Sequence, residues 1–189
     1  MRGLIISYPG CEMLELFPAI EVLKPTMEFQ ATALDPHENK RILKIGNSLV
    51  KPYREVTGSD FDLVLLPGGD PGSVIENGEL SRIIREAFEA KRVIAAICAG
   101  PLLLDKTGIL SRRSISHGYD RDSIEWLQER KHFLDCELTD NLFTKDGLIF
   151  TARPEGSERL ALELKSYFEV YRRLDNVFGW TIGPELNCG

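Results

Sequence analysis

The alternation of short β-rich apolar runs with longer amphipathic segments constrains this chain more than any other feature of its sequence. This pattern is typical of parallel strands whose connecting helices cover the faces of one sheet. Strands are predicted in the runs 2–8, 28–34, 61–69, 92–97, 114–117, 134–138 and 148–152. Helices are predicted in the segments 12–24, 78–91, 121–131 and 155–172, with one more opening behind residue 98. We therefore expect an α/β fold with a mostly parallel sheet.

The connections between these elements indicate a single domain. Pro18 implies a kink or an irregular first turn in the first helix. Segment 42–56 is typical of a hairpin or an excursion around Gly46 and Asn47, and another hairpin is predicted at 145–147. A chain of 189 residues supports one core of ordinary density. The domain is expected over 1–174, and a tail of unknown order over 175–189.

Charge and hydropathy exclude several classes of protein. Lys and Arg total 23 against 29 Asp and Glu, and both signs are scattered, so no basic face for nucleic acid is indicated. No apolar run nears the roughly 20 residues that span a bilayer, and the first run is too short for a signal-peptide core. The four cysteines are far apart, which predicts free thiols rather than a zinc site or a disulfide framework. We expect a cytoplasmic protein with no nucleic-acid, membrane or metal partner.

The sharpest corner of the predicted fold lies at Cys98, between the strand RVIAAI and the helix behind it. A tight strand-to-helix turn places its residue at the carboxyl edge of the sheet, where α/β folds bind ligands. Ala99 and Gly100 are small enough to close such a turn, as in the nucleophile elbow of hydrolases. A helix N-terminus favours a thiolate, so Cys98 is a candidate nucleophile with a lowered pKa. The alternative is a buried small residue without chemistry.

Two further groups are predicted at the same edge. Pro67, Gly68 and Gly69 end the neighbouring strand, and amides there suit an oxyanion hole, the alternative being a plain turn. Glu15 lies in apolar surroundings that predict a raised pKa and a role in proton transfer. The alternative for Glu15 is a solvated helix face, as expected for Glu12.

The histidines and the first cysteine are weaker candidates. His117 ends a predicted strand, where it is either a proton shuttle or a structural residue. His37 and His132 lie in polar or charged surroundings and are predicted at the surface. Cys11 shares a loop with Glu15, so it is either a second reactive thiol or a packed small residue.

These motifs together resemble the ThiJ/PfpI superfamily over residues 2 to about 172. The strongest part is AAICAGP, preceded by DLVLLPGG and followed by His117 nineteen residues after Cys98. The segments YPGCEMLELFPAIEVL and KDGLIFTARPEGSERLALEL also match. The resemblance implies a flavodoxin-like sandwich, a homodimer, a small carbonyl substrate and no cofactor.

The resemblance also implies roles for individual residues. Cys98 matches the elbow nucleophile, Glu15 its protonated carboxyl partner, and His117 the nearby histidine of the deglycase branch. Gly69 and Ala99 match the oxyanion-hole amides. Arg153 matches an arginine near the family's site or interface.

Two positions depart from branches of the family. The peptidase-like branch has a histidine directly after the nucleophile, where this chain has Ala99, so peptidase activity is not expected. The isocyanide hydratase-like branch resembles the first segment but has an aspartate in place of Glu15. The sequence thus joins a deglycase-like elbow to a hydratase-like first loop.

Three functions remain open at this point. The first is a cofactor-independent enzyme acting on reactive carbonyls, converting methylglyoxal to lactate. The second is a redox sensor without turnover, in which Cys98 is oxidised to a sulfinate held by Glu15. The third is an isocyanide hydratase-like lyase. All three use the same thiol, so the motifs alone do not separate them.

Overall fold

A mostly parallel sheet lies at the centre of the fold and brings the candidate site residues together. The computed structural model describes residues 1–33 and 50–178, with side chains as far as residue 171. The strands in these ranges are β1 (Arg2–Ser7), β2 (Cys11–Glu12), β3 (Glu28–Ala33), β4 (Lys51–Pro52), β5 (Leu63–Leu66), β6 (Gly68–Gly69), β7 (Val93–Ile97), β8 (Ser114–Ser116), β9 (Glu137–Thr139), β10 (Phe143–Asp146) and β11 (Ile149–Ala152). The α-helices are α1 (Phe17–Leu23), α2 (Gly78–Glu89), α3 (Pro101–Asp105), α4 (Arg121–Glu129) and α5 (Ser157–Phe178).

The main sheet has the strand order β10-β11-β7-β5-β1-β3-β4 within the described ranges. Its strands pair in parallel except for the antiparallel pair of β10 and β11. Every residue of β5 and β7 is buried, as expected for parallel strands covered on both faces. The α/β class predicted from the alternating pattern is confirmed.

Helices cover both faces of this sheet, so the core has two layers. In one layer α2 buries Leu80, Ile83, Ile84 and Ala87, whose spacing of three and four residues forms one helix face. The Asn77 side chain accepts a hydrogen bond of 2.9 Å from the Leu80 amide and caps this helix. The other layer packs α1 and α5 together beneath the opposite face.

Most predicted elements are present, and the differences lie at their ends. Pro18 lies in the first turn of α1, after a 3₁₀ turn at Met13–Leu16, which confirms the irregular first turn. The helix behind Cys98 has only five residues. Helix α5 continues to Phe178, so the predicted tail begins as helix.

Some predictions fall outside the described residues. These are the hairpin centre at Gly46 and Asn47, His37, and residues 179–189 of the tail. After residues 34–49, which are not described, β4 pairs in parallel with β3. In the described parts of the chain, no helix has the length and apolar character that crossing a membrane requires.

The parallel register brings three strand ends to one edge of the sheet. Ile5 of β1 pairs with Leu65 of β5, which pairs with Ala95 of β7. The chain then leaves these strands towards Glu15, the glycines at 68–69, and Cys98, respectively. The candidate residues therefore gather at the carboxyl edge, where the sequence predicted them.

We expect Leu65→Ala to lower the free energy of unfolding by about 2–5 kcal/mol, because it leaves a cavity in a fully buried central strand. Urea denaturation followed by circular dichroism measures this loss. Leu162→Ala makes the same chemical change on α5 at a side chain that is 58% exposed, and it should cost far less. Equal losses in the two variants would contradict the described core.

Candidate active site

Cys98 occupies a strained corner directly behind β7. Its backbone has a φ of 59°, in the left-handed region that side chains other than glycine rarely adopt. The Cys98 amide donates to the Ala152 carbonyl at 2.9 Å, and its own carbonyl accepts from the Gly118 amide at 2.8 Å. A Cβ at Gly100 would lie 2.8 Å from the Leu66 carbonyl oxygen, so the turn needs glycine there. The predicted elbow is therefore present in the backbone.

Glu15 reaches the thiol from the 3₁₀ turn that precedes α1. Its Oε2 atom accepts a hydrogen bond of 2.9 Å from the Gly68 amide, and its carboxylate is also hydrogen-bonded to the Cys98 thiol. A Cβ at Gly68 would lie 2.4 Å from Cys98 Cβ and 2.5 Å from Glu15 Oε2. Only glycine at position 68 therefore permits the thiol and the carboxylate to approach each other.

Burial raises the pKa values of both acids, and the Glu15 charge raises that of Cys98 further. Burial is the largest cause of the raised Glu15 pKa, against the hydrogen bonds from Cys98 and Gly68. Burial, with the Glu15 charge and hydrogen bond, raises the pKa of Cys98 to about 11, although the amides of Gly69 and Ala99 lower it. The lowered thiol pKa predicted from the sequence is therefore wrong, since these effects outweigh the short helix α3.

The two acids consequently act as one coupled pair. With Glu15 ionised, the Cys98 pKa of about 11 keeps the proton of their hydrogen bond on sulfur at neutral pH. In this arrangement the thiol donates to the carboxylate, which lies in direct contact with the sulfur. The family resemblance implies a protonated Glu15. In that form the same proton lies on the Glu15 carboxylate rather than on the Cys98 sulfur.

The predicted oxyanion-hole amides separate into two groups. The amides of Gly69 and Ala99 donate to the Cys98 sulfur and therefore stabilise a negative charge on this atom. The Gly68 amide is committed to Glu15, so its assignment to the oxyanion hole is not supported. Its role here is to hold the carboxylate.

Sequence reasoning missed three residues that shape this site. The Tyr8 hydroxyl is buried and lies 2.9 Å from the Pro67 carbonyl and 2.7 Å from that of Gly68, which holds the glycine turn. A Cβ at Gly118 would lie 2.7 Å from the Cys98 sulfur, so this glycine borders the thiol. The Tyr119 hydroxyl lies 3.5 Å from the Ala99 carbonyl. For Gly118 and Tyr119, the available sequence signal was the His-Gly-Tyr run at the end of a predicted strand.

His117 and Arg153 form a neighbouring group. His117 is 7% exposed, and its Nδ1 atom accepts from the Tyr119 amide at 3.2 Å, which places the ring proton on Nε2. Burial, then the Arg153 charge, lowers the pKa of this imidazole, so it is neutral at pH 7. Arg153 makes ion pairs of 3.7 Å with Asp140 and 3.8 Å with Glu155. No hydrogen bond joins His117 to Cys98 among the described residues.

The packing of Cys11 agrees with one of its two predicted alternatives, whereas His132 differs from its predicted surroundings. Cys11 pairs with Gly69 between β2 and β6, but its side chain packs in the core layer of α2, whereas Cys98 packs against the layer of α1 and α5. This packing does not support Cys11 as a partner of the nucleophile. His132 is 8% exposed, so its prediction as a surface residue is wrong.

The fold and this cysteine elbow define an α/β protein with a thiol and a carboxyl group at the carboxyl edge of its sheet. The DJ-1/PfpI family model matches residues 1–165. The chain therefore belongs to the DJ-1/PfpI family, which confirms the resemblance found in the sequence.

Three comparisons illustrate the relationship. Protein DJ-1alpha of Drosophila melanogaster is 28% identical, over 97% of this chain and 86% of that protein. A glutathione-independent glyoxalase of Caenorhabditis elegans is 27% identical, over 61% of this chain and 60% of that protein. The crystal structure of Drosophila melanogaster DJ-1beta superposes with a TM-score of 0.66 at 25% identity, over 93% of this chain and 95% of that one.

We expect Glu15→Gln to lower the pKa of Cys98 below about 11, because the substitution removes the adjacent negative charge. Thiolate absorbance in the ultraviolet, corrected with the matching Cys98→Ser protein, follows this titration. Glu28→Gln is the control, since Glu28 is exposed at the first position of β3, at the amino edge of the sheet and away from Cys98. An upward shift in Glu15→Gln would show instead that the resting proton lies on Glu15.

We also expect Gly118→Ala to slow alkylation of Cys98 by iodoacetamide at least tenfold, because the added methyl group collides with the sulfur. Gly78→Ala is the matched control, since no atom lies within 4 Å of its added Cβ. Mass spectrometry of the Cys98 peptide over time gives both rates. Unchanged alkylation of Gly118→Ala would remove Gly118 from the site.

Proposed function

We propose that this protein is a cofactor-independent enzyme that converts small 2-oxoaldehydes, with methylglyoxal as the model substrate, into 2-hydroxy acids such as lactate. The observation that carries the proposal is the direct contact of Cys98 with Glu15 at the elbow. This contact supplies a nucleophile and its own base. The glyoxalase among the relatives supports the same class of chemistry.

The reaction begins with attack of the thiol on the aldehyde carbon. Glu15 takes the thiol proton as the carbon–sulfur bond forms, which lowers the barrier that a thiol of pKa about 11 otherwise presents. The electron pair of the carbonyl bond moves to oxygen, beside the amides of Gly69 and Ala99. Each well-placed donor stabilises such an oxyanion by about 3 kcal/mol.

Glu15 then moves protons within the adduct. Its carboxyl group returns a proton to the oxyanion and gives a neutral hemithioacetal. The carboxylate next removes the proton from the former aldehyde carbon, and the resulting enediol is protonated on the neighbouring carbon. The product is a thioester of lactate, formed without an external oxidant or reductant. A raised Glu15 pKa suits a group that accepts and returns protons in this way.

Water completes the cycle by hydrolysing the thioester, which releases lactate and restores the Cys98 thiol. Neutral His117 has one N–H donor, and in this mechanism it exchanges oxygen protons through water. The sum of the steps is methylglyoxal plus water giving lactate, so glutathione is not consumed. We further expect the working form to be a homodimer, as the family resemblance implies, and sedimentation velocity measures this directly.

We expect Cys98→Ala to abolish lactate formation and Glu15→Gln to lower kcat at least about a hundredfold, the usual scale for a lost acid–base group. His117→Ala should cost less, because water replaces a proton shuttle more easily than a positioned carboxyl group. An enzymatic lactate assay without glutathione gives these rates.

Cys136→Ala is the matched control, since burial also raises the pKa of this half-buried thiol to about 11. Full activity of Cys98→Ala would contradict the mechanism. Absence of turnover in the unmodified protein, with sulfinate formed at Cys98 under mild peroxide, would favour the redox-sensor alternative. Turnover of an isocyanide in place of methylglyoxal would favour the hydratase alternative.

A further inference from the structure

A cleft of about 730 Å³ extends away from the thiol between α4 and the loop behind β6. Two of its lining residues, Gly69 and Tyr119, also border the Cys98 corner, so the cleft lies directly beside the site. Methylglyoxal has only five heavy atoms and occupies on the order of 100 Å³, judged from the roughly 30 Å³ share of one water. The cleft therefore has room for a much longer substrate.

A buried histidine with one unused nitrogen lies along this cleft. The His132 side chain is 10% exposed, and its Nδ1 atom lies 2.9 Å from Asp105 Oδ2. Asp105 also accepts from the Phe133 amide at 3.1 Å, which fixes the carboxylate. In the tautomer with its proton on Nδ1, the ring donates a hydrogen bond to this carboxylate, and Nε2 is an acceptor. Within the described residues Nε2 has no hydrogen-bond partner, and it is available to a donor on a ligand.

The walls between the thiol and His132 are apolar. Leu102 and Leu127 are buried, while the Trp126 ring is half exposed to the cleft. The Arg130 guanidinium lies 3.7 Å from the centroid of this ring, so Trp126 has a fixed neighbour on one face. Walls of this kind suit a methylene chain between a reactive carbonyl and a polar end group.

The charges around the cleft favour a cationic end group. Asp70 and Asp122 line it, and neither forms an ion pair in the part of the chain that the structure describes. Glu76 is neutralised by an ion pair of 2.6 Å with Lys106. Arg130 alone opposes the two free carboxylates, so the local potential is negative.

We infer that this cleft is a subsite for the tail of a longer 2-oxoaldehyde that ends in a protonated nitrogen group. The chain of the substrate lies along Leu102, Leu127 and Trp126, and its terminal N–H donors meet His132 Nε2 and the carboxylates of Asp70 and Asp122. His132, Trp126 and Asp122 are thus specificity-determining residues. The assignment rests on the proposed function, because it takes the aldehyde end to lie at Cys98.

Three substrates test this inference: methylglyoxal, the neutral 2-oxoheptanal and the cationic 5-guanidino-2-oxopentanal. We expect kcat/KM to rise at least tenfold from methylglyoxal to the guanidino compound, a modest value for burial of several methylene groups. Asp122→Asn should lower kcat/KM about three- to fivefold for the guanidino compound alone. Trp126→Ala should lower it about tenfold for both long substrates and leave methylglyoxal unchanged.

Asp60→Asn is the charge-matched control, because Asp60 is exposed at the amino edge of the sheet. His132→Phe, checked for folding by circular dichroism, should likewise lower kcat/KM for the guanidino compound alone. Equal kcat/KM values for the three substrates would overturn the inference. It would also be overturned if Asp122→Asn had the same kcat/KM as the unmodified protein for each substrate.

A binding measurement separates this inference from the proposed function. If no substrate turns over, the proposed function fails, and agmatine then serves as an unreactive guanidinium probe of the cleft. Saturable quenching of tryptophan fluorescence that is lost in Trp126→Phe and weakened in Asp122→Asn would support the subsite. Absence of quenching, or equal quenching in Asp122→Asn and Asp60→Asn, would overturn it.

Discussion

The left-handed backbone at Cys98 is the constraint on which the rest of the site depends. A residue other than glycine in this conformation costs about 1–3 kcal/mol, so the surroundings have to hold it. The carbonyl of Ala152 and the amide of Gly118 do so from opposite sides of the turn. Because both partners come from neighbouring segments, the sheet and the loop behind β8 stabilise the corner together. The thiol is thereby directed into a space bordered by two glycines.

This geometry also explains the chemistry of the pair formed by Cys98 and Glu15. The close approach that Gly68 permits places a carboxyl group against a half-buried thiol. Repulsion and burial then oppose ionisation of both groups together, so one proton is shared between them. A shared proton makes Glu15 the base when sulfur attacks and the acid afterwards. One side chain therefore serves several proton transfers of the proposed reaction.

Sequence patterns predicted the sheet, the elbow and the glycine turn, because each depends on local periodicity and on residue types with few conformational options. They did not predict the direction of the Cys98 pKa, which depends on the distance between side chains far apart in the chain. The hydrogen bond from the Gly68 amide to Glu15 also joins residues far apart in the chain, so the patterns placed this amide in the oxyanion hole instead. His132 was predicted at the surface from its charged neighbours, but positive φ angles at Lys131 and Phe133 turn the chain after α4 and bury it.

The central claim is that Cys98 forms the covalent bond to the substrate carbon and that Glu15 moves the protons. Rapid acid quenching during exposure to carbon-13-labelled methylglyoxal, followed by peptide mass spectrometry for the acid-stable lactoyl thioester, tests this claim most directly. The account predicts labelled lactoyl thioester on the Cys98 peptide of the unmodified protein, and far less in Glu15→Gln, because the proton transfers that form the thioester are lost. Label confined to lysine and arginine side chains, with an unmodified Cys98 peptide during lactate formation, would contradict it.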